Sequence, residues 1–272
     1  MVPRGVGPHN ARMNVTQLRN ATIVVELRTP EGPAVVLVDP MLSAPGALPS
    51  LKYFTRERRR NPLVALPAVA DEVLGRVTHA LITHCQKGHF DHLDSAGLRW
   101  LRDRQTPVLC TAHDADHLSK RGLRTAVLDS TFLGGKLTRV PCVHGEGLIG
   151  PFMEHGTGYF IEQPGEPSLY LAGDTVLTPQ VQAFVEEHQP EVLVLPAGGA
   201  RLDVGGHIIM DEDEVLELTR TSRGVVVANH LEALDHCAGS RASLRAKADM
   251  AGLGERLHVP MDGETLSFSR AA

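Results

Sequence analysis

Thr83-His84-Cys85-Gln86-Lys87-Gly88-His89-Phe90-Asp91-His92-Leu93-Asp94 is the stretch that decides how this chain is read. Three histidines and two carboxylates fall within eleven residues, directly after the apolar run Ala80-Leu81-Ile82. Imidazole and carboxylate together suit zinc, manganese or iron. Folding so dense a polar cluster is costly unless a cation neutralises it, so the strand expected over residues 78–83 should end at a metal site.

Composition narrows the rest. With 272 residues, 42% hydrophobic and 22% charged, the chain reads as an ordinary globular protein able to bury a sizeable core. A net charge of −5 argues against a nucleic-acid surface, which needs clustered excess Lys and Arg. Cys85, Cys110, Cys142 and Cys237 form no CxxC pair, which fits a reducing cytoplasm better than a disulfide framework. No apolar run approaches the ~20 residues of a membrane span, and no signal peptide is visible. Met1-Val2-Pro3-Arg4-Gly5 reads as a protease-site remnant, so residues 1–12 are set aside as a tag or disordered start. No linker or composition break divides residues 13–272, which are expected to form a single domain.

Working outward from the His-rich stretch, strands are expected over 14–18, 22–28 and 34–39. A long irregular segment, Ser43–Pro67, follows and carries Arg56, Arg58, Arg59 and Arg60. Its length suits a functional loop or lid, and the arginines suit either a contact or a solvated face. A short helix at 68–74 precedes the 78–83 strand, and Asp94 is placed to cap a helix over 95–104. A strand at 107–111 and a helix at 112–121 end the first half; His113 and His117 on that helix read as surface or packing residues. The second half reads as strands at 136–143, 158–162, 168–172, 192–195, 224–228 and 265–269. Helices are expected at 179–188, 211–220 and 241–251. The 192–195 strand lacks alternation, which predicts burial on both faces. Two halves of this kind, each a sheet covered by helices on one side, would pack face to face as a four-layer α/β domain of αββα type.

His84, His144, Asp174 and His230 each stand at or near the C-terminal end of an expected strand, where ligands collect. The set Thr83–Asp94, a later lone histidine at His144, Gly173-Asp174-Thr175 and a last histidine at His230 resembles the metallo-β-lactamase superfamily. Within it the chain is similar to the L-ascorbate-6-phosphate lactonase-like branch of metal-dependent hydrolases. Leu18–Thr22, Asp39–Leu42, Asn61–Val64, Tyr170–Thr175 and Met210-Asp211 carry that likeness, which covers nearly the whole chain from Met13. The resemblance implies the αββα fold and two divalent ions, zinc foremost, with manganese or iron as alternatives. It would place His84, His89 and His144 on the first ion, Asp91, His92 and His230 on the second, and Asp174 between them. The ions would share a hydroxide that Asp91 holds or orients.

One spacing departs from the family, which usually writes HxHxDH, whereas four residues separate His84 from His89. Either the loop carries extra residues and His84 still reaches the metal, or Lys87 occupies the first ligand's place and that site weakens. On the first alignment Lys87 is free to face a substrate anion. Asn229 and Asp235, in the polar run around His230, are further candidate substrate contacts. His236 is a candidate proton donor, or else a residue bonded within its own loop. Asp94 is expected to cap or support, and Cys85 to pack away from the metals.

The function expected from these residues is metal-dependent hydrolysis of a small polar metabolite, a lactone or a phosphoester. An iron-dependent redox protein and a metal-poor binding module are the alternatives. The expected partner is a small molecule, with neither nucleic acid nor membrane, and the resemblance implies a homo-oligomer.

Overall fold

The computed structural model describes residues 12–54, 58–86, 88–145, 153, 156–203 and 205–270. The segment set aside as a tag therefore lies outside the described residues except for Arg12, with which the first strand begins.

That strand, β1 (Arg12–Arg19), is followed by β2 (Thr22–Thr29) and β3 (Gly32–Val38), an antiparallel meander. After α1 (Ala70–Gly75) the chain alternates as β4 (His79–Leu81), α2 (Ser95–Asp103), β5 (Pro107–Cys110), α3 (Ala112–Ser119) and β6 (Arg124–Val127). Strands β4, β5 and β6 add to β3 in parallel. The second half repeats this logic. Antiparallel β7 (Thr131–Phe132), β8 (Gly135–Pro141), β9 (Thr157–Glu162) and β10 (Leu169–Leu171) come first. The parallel set follows as α4 (Pro179–His188), β11 (Val192–Pro196), α5 (Glu212–Thr221), β12 (Val225–Asn229), α6 (Arg241–Met250) and β13 (Leu257–His258). A final strand, β14 (Thr265–Ser269), crosses back to pair with β1. The sheets run β14-β1-β2-β3-β4-β5-β6 and β13-β12-β11-β10-β9-β8-β7.

Side-chain period decides how the layers stack. Ile23, Val25, Val36 and Val38 point inward to meet Tyr159, Ile161, Leu171, Val192 and Val194 of the opposite sheet. Val24 and Leu37 point outward, against Val73 and Leu74 of α1. In β11 the alternate residues Leu193 and Leu195 pack under the helices instead, so every residue of that strand is buried, as its unbroken apolar run predicts. The result is the four-layer αββα sandwich.

Helix starts follow their caps. Asp94 accepts from Gly97 N at 2.7 Å, and Asp211 with Glu214 forms a reciprocal capping box. Three short strands escape sequence patterning: β6, β7 and β13 have two to four residues each, and β6 is largely exposed.

The described parts of the Ser43–Pro67 segment are strapped down rather than free. Arg19, fully buried, donates to Val64 O at 3.0 Å, Met41 O at 2.5 Å and Ser43 O at 3.0 Å. The other Asp94 carboxylate oxygen takes Ser43 N at 2.7 Å. Of the arginines, Arg60 holds the loop's own carbonyls at Gly46 and Ala47, Arg58 and Arg59 are exposed, and Arg56 lies outside the described residues.

Candidate metal centre

Every candidate metal ligand comes off a strand end or the loop behind it, at the same edge of the two sheets. His84 follows β4 by three residues; His89, Asp91 and His92 lie in the next turn, locked by Asp94 at the start of α2. His144 follows β8, Asp174 follows β10 and His230 follows β12. His230 adopts a left-handed backbone, φ +58°, and its N–H donates to Asn20 O at 3.0 Å, tying the second sheet to the first.

These side chains converge in two groups, His84–His89–His144 and Asp91–His92–Asp174–His230, with the ligand atoms of each group within 4.8 Å of one another. His84 thus reaches the site despite its wide spacing from His89, while Lys87 lies outside the described residues. Asp174 Oδ2 is 3.1 Å from His92 Nε2, 3.4 Å from His230 Nε2 and 3.8 Å from His144 Nε2, so one carboxylate spans both groups.

The far side of each ring sets its tautomer. His144 Nδ1–H donates to Ile208 O and His89 Nδ1–H to Gln86 O, each at 2.7 Å. Their Nε2 lone pairs therefore face each other across 3.0 Å, a repulsive contact that a shared cation relieves. Among the described residues His84 Nε2 is buried without a hydrogen-bond partner. His92 Nδ1–H donates to Asp39 Oδ2 at 2.9 Å, which turns Nε2 toward Asp174. The donor set and the unpartnered His84 nitrogen fit divalent ions.

Electrostatics divides the two groups. Burial, reinforced by neighbouring imidazoles, holds His84 well below the ordinary histidine value and lowers His144. Burial also opposes charge on His92 and His230, but Asp174 and the nearby carboxylates overcome it and raise both well above that value. Burial would raise Asp91 and Asp174, yet His92 and His230 hold both carboxyls below the usual range. Protons on His92 and His230 thus supply the positive charge that a metal ion would supply.

Above this floor opens a cavity of about 680 Å³. Asp91, Asp174, His89 and His144 form its base, and Leu51, Tyr53, Phe54, Phe90, Leu202 and Ile208 form its walls. Asp203 accepts the backbone N–H of both Tyr53 and Phe54, fixing the tip of the 43–67 loop at the mouth. His236 lies on the same wall, 5% exposed, with Nδ1 buried and unpartnered; burial lowers its pKa to about 4.

Not every expected substrate contact faces this cavity. Asp235 turns into the loop, taking hydrogen bonds from the Ser50 hydroxyl, Leu51 N at 3.0 Å and Asn61 Nδ2 at 3.0 Å. Asn229 lines a small space between the sheets with Asp39, Thr83, His92 and Asp174. Cys85 packs away from the site, its thiol 3.6 Å from Asp114. His207, Asp211 and Glu214 also come together, but there the carboxylates serve the start of α5.

Asp39 and Asn20, which the sequence shows only as parts of segments carrying the family likeness, also support the site. Asp39 follows β3 with φ +46° and accepts Thr83 N at 2.8 Å, Thr83 Oγ1 at 2.6 Å and the His92 ring. A carboxylate at a strand's C-terminal end was the available signal. Asn20 Nδ2 sits 3.3 Å from His230 Nε2, a contact that only the pairing of the two sheets creates.

The beta-lactamase superfamily domain matches residues 35–231, which include every candidate ligand. This chain belongs to the metallo-β-lactamase superfamily. It is similar to the UPF0173 protein YddR of Bacillus subtilis, 32% identical over 94% of this chain and 100% of the relative. It is also similar to a UPF0173 metal-dependent hydrolase of Paracoccus denitrificans, 33% identical over 66% of this chain and 70% of the relative. The solved isothiocyanate hydrolase from Delia radicum gut bacteria superposes with a TM-score of 0.84, 29% identical over 95% of this chain and 100% of that one. Of the readings open from sequence, these relatives carry one: a metal-dependent hydrolase of this superfamily. Among the described residues no helix is long and apolar enough to cross a membrane.

Proposed function

We propose that this hydrolase acts at carbon, on a small neutral electrophile bearing an apolar group, such as a lactone or an isothiocyanate, and not on a phosphoester. The observation that carries this reading is the cavity, whose apolar walls stand directly on the His/Asp floor. A polar metabolite would leave those walls unmatched, whereas an alkyl or aryl group gains roughly 25 cal/mol for each Å² it buries. Among the described lining residues are the acidic Asp91, Asp174 and, at the mouth, Asp203, and none is Lys or Arg. With Asp91 and Asp174 offset by the ions they would hold, Asp203 is the carboxylate left at the mouth, and no described cation of the lining pairs an anionic phosphoester. The isothiocyanate hydrolase and the lactonase-like branch that the sequence resembles both support attack at carbon.

Held by the two ligand groups, divalent ions of zinc, manganese or iron would lower the pKa of a water and polarise the bond it attacks. The chain supplies the rest. Asp174 spans the two groups, and Asp91, facing the cavity, would hold and orient the attacking water. Asp39, Gln86 and Ile208 hold the rings of His92, His89 and His144. Leu51 and Phe90, lining the cavity, would set the apolar group against the wall.

The test is a side-by-side assay of the metal-loaded protein on benzyl isothiocyanate, a medium-chain γ-lactone and bis(p-nitrophenyl) phosphate. Turnover of either carbon electrophile well above the phosphodiester is expected. Turnover of the phosphodiester alone would overturn the reading.

A further inference from the structure

His236 is a buried imidazole, and among the described residues no hydrogen bond to Nδ1 offsets its burial. Its Nδ1 is shut off from solvent without a hydrogen-bond partner, and the ring lies on the cavity wall beside the His/Asp floor. The loop around it is rigid. Its carbonyl accepts Arg201 N at 3.0 Å, and its neighbour Asp235 is fixed by Ser50, Leu51 and Asn61. A buried, unpartnered Nδ1 costs about 1–3 kcal/mol, and a ring held against the cavity wall at that cost leaves its other nitrogen, Nε2, as the one a ligand can reach.

The ring's tautomer follows from the same facts. Burial keeps the imidazole neutral, so it carries one N–H and one lone pair. A walled-off lone pair at Nδ1 costs less than a walled-off N–H, which places the proton on Nε2, at the far side of the ring. We propose that His236 is a substrate-binding residue whose Nε2–H donates a hydrogen bond to the heteroatom that gains negative charge as the substrate carbon is attacked. That heteroatom is the carbonyl oxygen of a lactone, or the nitrogen or sulfur of an isothiocyanate. The proton stays on the imidazole, which acts as a fixed neutral donor rather than an acid. The proposal rests on the cavity being the substrate site for a neutral electrophile.

The experiment compares the metal-loaded wild type with His236→Leu, which fills the space without a donor, and His236→Gln, whose amide nitrogen falls near Nε2. Metal content is measured first and is expected to be equal in all three. Binding is then titrated with N-benzylacetamide, an uncleavable amide offering a carbonyl acceptor and a phenyl group, and with toluene, which offers only the ring. His236→Leu should bind N-benzylacetamide about five- to tenfold more weakly, with His236→Gln close to wild type and toluene binding alike in all three. Turnover in His236→Leu should fall on the order of a hundredfold, more in kcat than in KM. Equal binding of the amide by wild type and His236→Leu, with toluene still bound, would overturn the role of His236 alone. Failure of both probes to bind the wild type would overturn the cavity as the substrate site and the proposal with it.

Discussion

Replacing Asp39 by asparagine tests how the second ligand group is held. Asp39 touches no expected metal position, yet its two oxygens accept from Thr83 N, Thr83 Oγ1 and the His92 ring at 2.8, 2.6 and 2.9 Å. Asparagine keeps the shape and replaces one acceptor by a donor. If its NH₂ takes the place of Oδ2, it faces His92 Nδ1–H, and the ring escapes the clash by moving its proton to Nε2, where it points at Asp174. His92 then cannot bind a metal. If the amide is flipped, the NH₂ opposes the Thr83 N–H instead and disturbs the turn into His84. The first case removes the supporting bond of a metal-binding histidine and the second disturbs the turn that carries one, and loss of such support typically lowers metal affinity about 10–100-fold, or ~1.4–2.7 kcal/mol. Competition with a chromophoric chelator should show that drop for one of two ions, while circular dichroism of the variant stays native. An asparagine variant that held both ions with wild-type affinity would refute the claim that Asp39 fixes the tautomer of His92.

Metal binding should release protons, because His92 and His230 are raised well above the ordinary value of 6.5 and must lose them to coordinate. Calorimetry in buffers of different ionisation enthalpy should show that release, and metal affinity should weaken as pH falls. In the metal-free protein the stabilisation from these two cations is fully present below about 6.5, their unfolded value, and fades as pH rises through their higher folded values. That from Asp91 and Asp174 is present above the carboxylate value of 3.8 and is lost as pH falls through their lower folded ones. Denaturation of the metal-free protein across pH checks both. Gly198→Ala would set a Cβ 2.1 Å from His230 O, so the backbone of that ligand must move. A stability loss of about 1–3 kcal/mol in denaturant, with loss of one ion, is expected. Asp235→Ala should release the 43–67 loop, raise KM more than it lowers kcat, and expose the loop to limited proteolysis.

What was legible in the sequence is what local pattern encodes. The alternating strands β2 and β3, the unbroken β11, and the caps Asp94 and Asp211 each follow from a few neighbouring residues. The ligand types were legible for the same reason: each stands at or near a strand's end. The supporting contacts were not, because long-range pairing makes them. Asn20 meets His230 across 210 positions, and Asp235 meets Asn61 across 174. Asp235 looked like a substrate contact because its polar neighbourhood is visible, while the loop that takes up its oxygens is not. The apolar cavity was hidden for a related reason: its walls come from residues 49, 51, 53, 54, 90, 153, 202 and 208, no one of which is unusual alone.

The central claim is that His84, across its wide spacing, completes a first metal group beside the second. Elemental analysis of wild type and His84→Ala, purified side by side, tests it most directly. Two divalent ions per chain in the wild type, falling to about one in the variant, is the result predicted. An identical count in both proteins, or one ion or none in the wild type, would contradict it.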